Sequence, residues 1–142
     1  MRAGLVAILV TAVSLFFTHL AIHSILILFF AALLTALIFA LMGLVNGIFA
    51  KSFDAISIVP TFVLTPLTYL GGVFYSIDQL PGIWRTLSLF NPILYMVNAF
   101  RYGFLGITDV PLAESFMVMG GLAVFFALLT LYLFIKGAGL KK

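Results

Sequence analysis

The chain has 142 residues, 65% of them hydrophobic and only 8% charged, whereas a soluble domain carries roughly a quarter charged residues. So few charges cannot coat a water-facing surface, and lipid must cover most of this one. The net charge of +3, from seven basic and four acidic residues, is too small and too scattered for nucleic-acid binding. The absence of cysteine excludes disulfides, thiolate metal sites and cysteine nucleophiles. The length fits a single domain.

The N-terminus, MRAGLVAILVTAVSLFFTHLA, has one Arg and then an apolar run. No convincing small-residue cleavage site follows, so it reads as a helix rather than a cleaved signal. Between Arg2 and Lys51 there is no formal charge. At 1.5 Å per residue that stretch makes about 70 Å of helix, enough for two crossings of a hydrocarbon core about 30 Å thick. Its one polar break, Thr18 to Ser24, predicts a tight turn between spans at about 3–18 and 25–50, with Ser24 as N-cap of the second. Gly43 and Gly47 lie four apart around Asn46. That spacing lets two backbones approach closely, within the subunit in the favoured reading or at a subunit-dimer contact in the other, and a buried Asn46 can bond across helices.

Lys51-Ser52-Phe53-Asp54 is the next polar break, where Ser52 or Asp54 can cap the following helix. Residues 55–77 are uncharged and predict one span. Pro60 and Pro66 each remove a helix hydrogen bond and should kink it, and Thr61, Thr65 and Thr68 can satisfy the carbonyls so freed. A turn signal, Gln79-Leu80-Pro81-Gly82, follows. Then come two short apolar runs separated by Asn91-Pro92, with Pro92 suited to a first helical turn. Neither run can cross a bilayer, so residues 79–105 read as a re-entrant hairpin packed on its own bundle. Trp84, Tyr95 and Tyr102 suit a headgroup boundary, where Arg85 and Arg101 can snorkel. After a loop from Gly106 to Pro111, residues 115–136 form the last predicted span, and the tail ends in Lys141-Lys142.

The expected fold is an all-α membrane protein. It has four transmembrane helices and a re-entrant helical hairpin between the third and fourth. Lysine and arginine positions orient it. With both termini cytoplasmic, Arg2, Lys51, Lys136, Lys141 and Lys142 lie inside, and the hairpin faces out. No charged residue falls in mid-span, where a proton or ion relay would need one. His19 and His23 are spaced i, i+4 but have no third ligand nearby, which favours interfacial histidines over a metal site. No phosphate-binding loop accompanies Gly71-Gly72 or Gly120-Gly121. No nucleophile–base pair lies in any span, so neither an enzyme nor a cofactor is expected.

Phe53-Asp54, then IVPTFVLTPLTYLGGVFYSIDQLP, then LFNPILYMVNAFRYGFLG closely resemble the ABC-2 type permeases. These are the membrane subunits of bacterial ATP-binding-cassette exporters. The likeness is greatest to inner-membrane permeases grouped with drug and polysaccharide exporters. It covers the last four of the family's six spans, so residues 1–142 read as the C-terminal part of such a domain, with Met1 as an internal start. The resemblance implies a homodimer in the bacterial inner membrane, docked on two cytoplasmic ATPases. Its candidate pathway or gating residues here are Pro60, Pro66, Tyr69, Gly71, Gly72, Asn91, Pro92 and Arg101. Lys51 and Asp54 mark a candidate ATPase-facing loop. The alternatives are a self-contained four-span small-molecule transporter and a non-catalytic membrane scaffold. The first would need an intramembrane carboxylate for proton exchange.

Overall fold

A computed structural model describes residues 2–17, 22–50 and 52–137, and no strand occurs among the described residues. Helix α1 is Arg2–Phe17 and α2 is Ile25–Phe49. A continuous rod follows, made of α3 (Phe53–Ile58), a π-helical turn (Val59–Leu64) and α4 (Thr65–Leu70). After a single 3₁₀ turn at Ile77–Gln79 come α5 (Gly82–Leu89), α6 (Pro92–Leu105) and α7 (Leu112–Ile135). Two of these, α2 and α7, are long and apolar enough to cross a membrane by length and composition.

The core is the triangle of α2, α6 and α7. Its buried centre alternates small and long side chains: Ala31 and Ile38 from α2, Met96 and Ala99 from α6, Met119 and Ala123 from α7. In a bilayer there is little hydrophobic transfer to gain between helices, so close fit and hydrogen bonds hold such a triangle together. Gly103 supplies the closest approach. The Ser24 N–H donates to its carbonyl at 3.0 Å, and Leu28 fills the space a side chain there would occupy. Ser24 also caps α2, its side chain accepting from the Ile27 N–H.

At the prolines the regular α-helical bonding gives way to a π turn. Pro66 has no N–H to offer the preceding turn. The chain widens, and the Thr65 N–H reaches back five residues to the Pro60 carbonyl. Thr65 Oγ1 donates to the same oxygen at 3.2 Å, and Thr68 Oγ1 to the Leu64 carbonyl at 2.7 Å. Asn46 crosses between helices as expected, Nδ2 donating to the Ile56 carbonyl at 2.9 Å.

Three expectations change. The rod ends at Leu70 rather than near 77. Gly71 closes the helix, its N–H donating to the Thr68 carbonyl, and Gly72 turns the chain in the left-handed region at φ 73°. Gly43 and Gly47 are exposed, and a Cβ placed at either would meet nothing within 4 Å, so among the described residues no close packing forms on them. The reason is rotational: Ala31 and Ile38 turn the other side of α2 to the core. Finally, α7 begins at Leu112, directly after Pro111.

Candidate functional site

The site grows from α6. Asn91 caps it, Oδ1 accepting from the Ile93 N–H at 3.0 Å, with Pro92 in the first turn. Asn91 Nδ2 donates to the Leu67 carbonyl at 2.6 Å, one of the carbonyls that a helix C-terminus leaves without a partner. The rod is thereby fastened to the start of α6. At the other end α6 stops at Gly106, in the left-handed region at φ 71°. The imidazole of His23 lies against Gly106 and edge-on to the Tyr102 ring.

Between these ends Arg101 is drawn inward. Its side chain is 19% exposed, and its partner Asp109 is 6% exposed. Arg101 Nη1 donates to Asp109 Oδ2 at 2.6 Å, while Nη2 reaches the carbonyls of Gly72 and Tyr75. The remaining capacity of Asp109 is filled by the Ser76 hydroxyl at 2.8 Å and the Ile77 N–H at 3.1 Å. One guanidinium and one carboxylate thus hold residues 72–77, the strap between rod and hairpin, against the loop after α6. Residue 77, just before the hairpin, and residue 109, just after it, are in contact.

Asn98 completes the clamp at 1% exposure. Its Oδ1 accepts from the N–H groups of Asp109 and Val110, and its Nδ2 donates to the Val110 carbonyl and Ser115 Oγ. All its side-chain polar capacity is used, as burial requires. Beneath it Ile77, Leu94 and Val110 form a small apolar cluster.

Burial alone would raise the Asp109 carboxyl's pKa. The hydrogen bonds from Ser76 and Ile77, then the bond and charge of Arg101, outweigh that and hold it below its ordinary value of 3.8. A carboxyl depressed in the folded state stabilises fully above its unfolded pKa and loses that contribution as pH falls through the folded one. Acid melting below about pH 4 is therefore expected to be shallower in Asp109→Asn than in the unaltered chain, as read by thermal unfolding in detergent across a pH series.

The sequence-predicted residues fall into separate groups. Gly71, Gly72, Asn91, Pro92 and Arg101 come together. Ile93 packs directly over Gly71, and Leu94 lies against Gly72. Pro60, Pro66 and Tyr69 lie along the rod and are exposed, with Tyr69 stacked on Phe74. Lys51 and the side chain of Asp54 lie outside the described residues, as does His19. Arg101 does not snorkel as expected. It is paired and half-enclosed because Asp109 lies within reach. Arg85 stays at the surface with Asp78 at 3.2 Å, a pair worth at most about 1 kcal/mol. Sequence reasoning missed Ser76, Asn98 and Asp109. A signal existed: an arginine inside an apolar run needs a carboxylate, and Asp109 is the next one along the chain.

Comparisons with known proteins agree with the resemblance read from the sequence. The ABC-2 type transporter family model matches residues 1–105. The inner membrane transport permease YadH of Escherichia coli strain K12 is 56% identical over 140 residues, covering 99% of this chain and 55% of that protein. Nodulation protein J of Rhizobium leguminosarum bv. trifolii is 32% identical over 92 residues, covering 65% of this chain and 34% of that protein. Its counterpart in Rhizobium meliloti strain 1021 is 29% identical over 73 residues, covering 51% and 28%. The chain therefore spans about half the length of the permease and about a third or less of the nodulation proteins. No solved structure matches. By the family match over most of its length and its identity to the permease, this chain belongs to the ABC-2 type transporter family.

Proposed function

We propose that this chain is the outward-gating part of a membrane permease subunit in an ATP-driven exporter, with ATP hydrolysed by a separate cytoplasmic subunit. The observation that carries this reading is the clamp of Arg101 and Asp109 on residues 72–77. Bending of the rod at its π turn, as an ATPase closes below, passes through that strap to the hairpin above. Pro60, Pro66, Tyr69, Gly71 and Gly72 then shape the moving wall, and Asn91, Pro92 and Arg101 fix the hairpin it pushes. Lys51 and Asp54 face the ATPase, and a second permease copy closes the pathway.

The topology that goes with this has four crossings, α1, α2, the rod and α7, both termini cytoplasmic, and the hairpin dipping from outside. Two facts support the dip. Helices α5 and α6, of 8 and 14 residues, extend only about 12 and 21 Å. The chain also enters and leaves the hairpin side by side, at Ile77 and Asp109. In single-cysteine variants, Gln79→Cys and Thr108→Cys are expected to react with an impermeant maleimide from the outside, Ser52→Cys from the cytoplasm, and Phe90→Cys from neither. Labelling of positions 79 and 108 from opposite sides would overturn the dip. The exporter assignment is tested by purifying a full-length subunit containing these residues from its native membrane. It should bring with it an ATP-binding-cassette ATPase, and an intact permease recovered without one would count against the assignment.

A further inference from the structure

Asparagines from the bundle tie the rod near both its ends. At one end Asn46 Nδ2 grips the Ile56 carbonyl; at the other Asn91 Nδ2 grips the Leu67 carbonyl. The π turn lies between these grips, with Phe62 73% exposed on its outer side. On its inner side a cavity of about 190 Å³ remains, lined by Ile38, Met42, Leu64, Leu67, Ile93 and Met96 among others, with no polar side chain in its wall. Phe39, Met42 and Leu64 also line a neighbouring, more open cleft of about 130 Å³ edged by Gly43, Asn46 and Pro60. Gly43 and Pro60 are exposed, and the space above Gly43 is open.

We propose that this gap is a binding site for the alkyl chain of a bilayer lipid. An apolar cavity of about 150 Å³ is already large enough to bind a benzene-sized molecule and stays dry, because a water needs two to four polar partners. This one offers water no side-chain partner, and no side-chain donor or acceptor that would select a polar ligand. Its entrance at Gly43 and Pro60 lies beside Leu44, Phe62 and Val63, which are exposed and apolar, so what meets the entrance is hydrocarbon. Met42 and Met96 are flexible, polarisable side chains that fit a chain of no fixed shape. An occupying chain props the rod at its π turn, and its departure frees the rod to close on α2. The site depends only on the chain being embedded in a bilayer, and it stands whether or not the exporter assignment does.

The test places the chain in phosphatidylcholine nanodiscs containing a phosphatidylcholine with a diazirine on one acyl chain, irradiates them and maps the adducts by mass spectrometry. Labelling of Met42, Leu64 and Met96 is expected to exceed that of Leu128, which is exposed on α7, by several-fold. Gly43→Phe adds a ring at the entrance from a position where a Cβ meets nothing within 4 Å, and Leu67→Phe fills the cavity itself. Each should reduce the labelling of Met42 and Met96 several-fold and leave Leu128 unchanged. Should Leu67→Phe not fold, Gly43→Phe decides the matter alone. Labelling of the cavity residues no greater than that of Leu128, or unchanged in Gly43→Phe, overturns the proposal. Labelling by a free diazirine-alkane but not by the phospholipid overturns the assignment to a lipid.

Discussion

Replacing Arg101 by alanine is expected to destabilise the fold by about 3–5 kcal/mol, the range for removing one partner of a buried ion pair. The loss exceeds one contact because the guanidinium does three jobs. It neutralises Asp109 and it satisfies the carbonyls of Gly72 and Tyr75. Without it, a carboxyl group that is 6% exposed is left with only the Ser76 hydroxyl and the Ile77 N–H for company. Lysine should not restore the clamp, since a single ammonium cannot span the carboxylate and two carbonyls in the planar fork that arginine provides. The double change Arg101→Met with Asp109→Leu should recover part of the stability, as apolar replacements of buried pairs often do. Unfolding of each variant in mixed micelles by sodium dodecyl sulfate gives the order. An Arg101→Ala loss below about 1 kcal/mol, the surface-pair range, would mean that the clamp is not closed in solution. On the proposed exporter role, Arg101→Ala in a full-length subunit is expected to insert normally and to fail in export.

The second large effect is expected at Gly103. A Cβ there would lie 2.5 Å from Leu28 Cδ2, 2.6 Å from its Cγ and 3.3 Å from its backbone nitrogen. The side chain can swing aside only in part, and the backbone nitrogen cannot. Gly103→Ala should therefore cost about 1–3 kcal/mol, the usual penalty for overpacking, and should lengthen the bond from the Ser24 N–H to the Gly103 carbonyl. The control is built into the molecule. At Gly43, Gly47, Gly120 and Gly121 an added Cβ would have no neighbour within 4 Å, and alanine there should be neutral or slightly stabilising, because glycine disfavours a helix interior by about 1 kcal/mol. Combining Leu28→Ala with Gly103→Ala should return part of the loss. If Gly103→Ala behaves like Gly43→Ala in the same unfolding assay, then α2 and α6 do not pack in close contact at this glycine.

Helices α2 and α7 were legible because the local signal and the environment agree: long uncharged runs have few other ways to satisfy their backbone in lipid. Ser24 and Asn91-Pro92 were legible for the same reason, since capping chemistry is local. The end of the rod was not. Charge spacing extended it to Asp78, whereas Gly71 and Gly72 stop it at Leu70, and glycine spacing alone does not separate a turn from a tolerated helix glycine. The rotation of α2 was also hidden. Almost every face of an apolar helix looks alike in sequence, so Gly43 and Gly47 gave no sign of turning outward. The clamp escaped notice because the strap it holds is remote in sequence: Gly72 and Tyr75 stand 29 and 26 residues before Arg101, and Ser76 33 before Asp109, and only folding brings them together.

The π turn also bears on how relatives of different length can share this architecture. Such a turn amounts to an α-helix carrying one surplus residue. A chain lacking one residue between Val59 and Leu64 could take up α-helical pitch there, with the bond that Pro66 cannot make still missing, and still present one carbonyl to Asn46 and another to Asn91. A single-residue gap aligned inside this span would then mark a change of helical pitch between subunits, in a place where a gap is ordinarily taken for an alignment error.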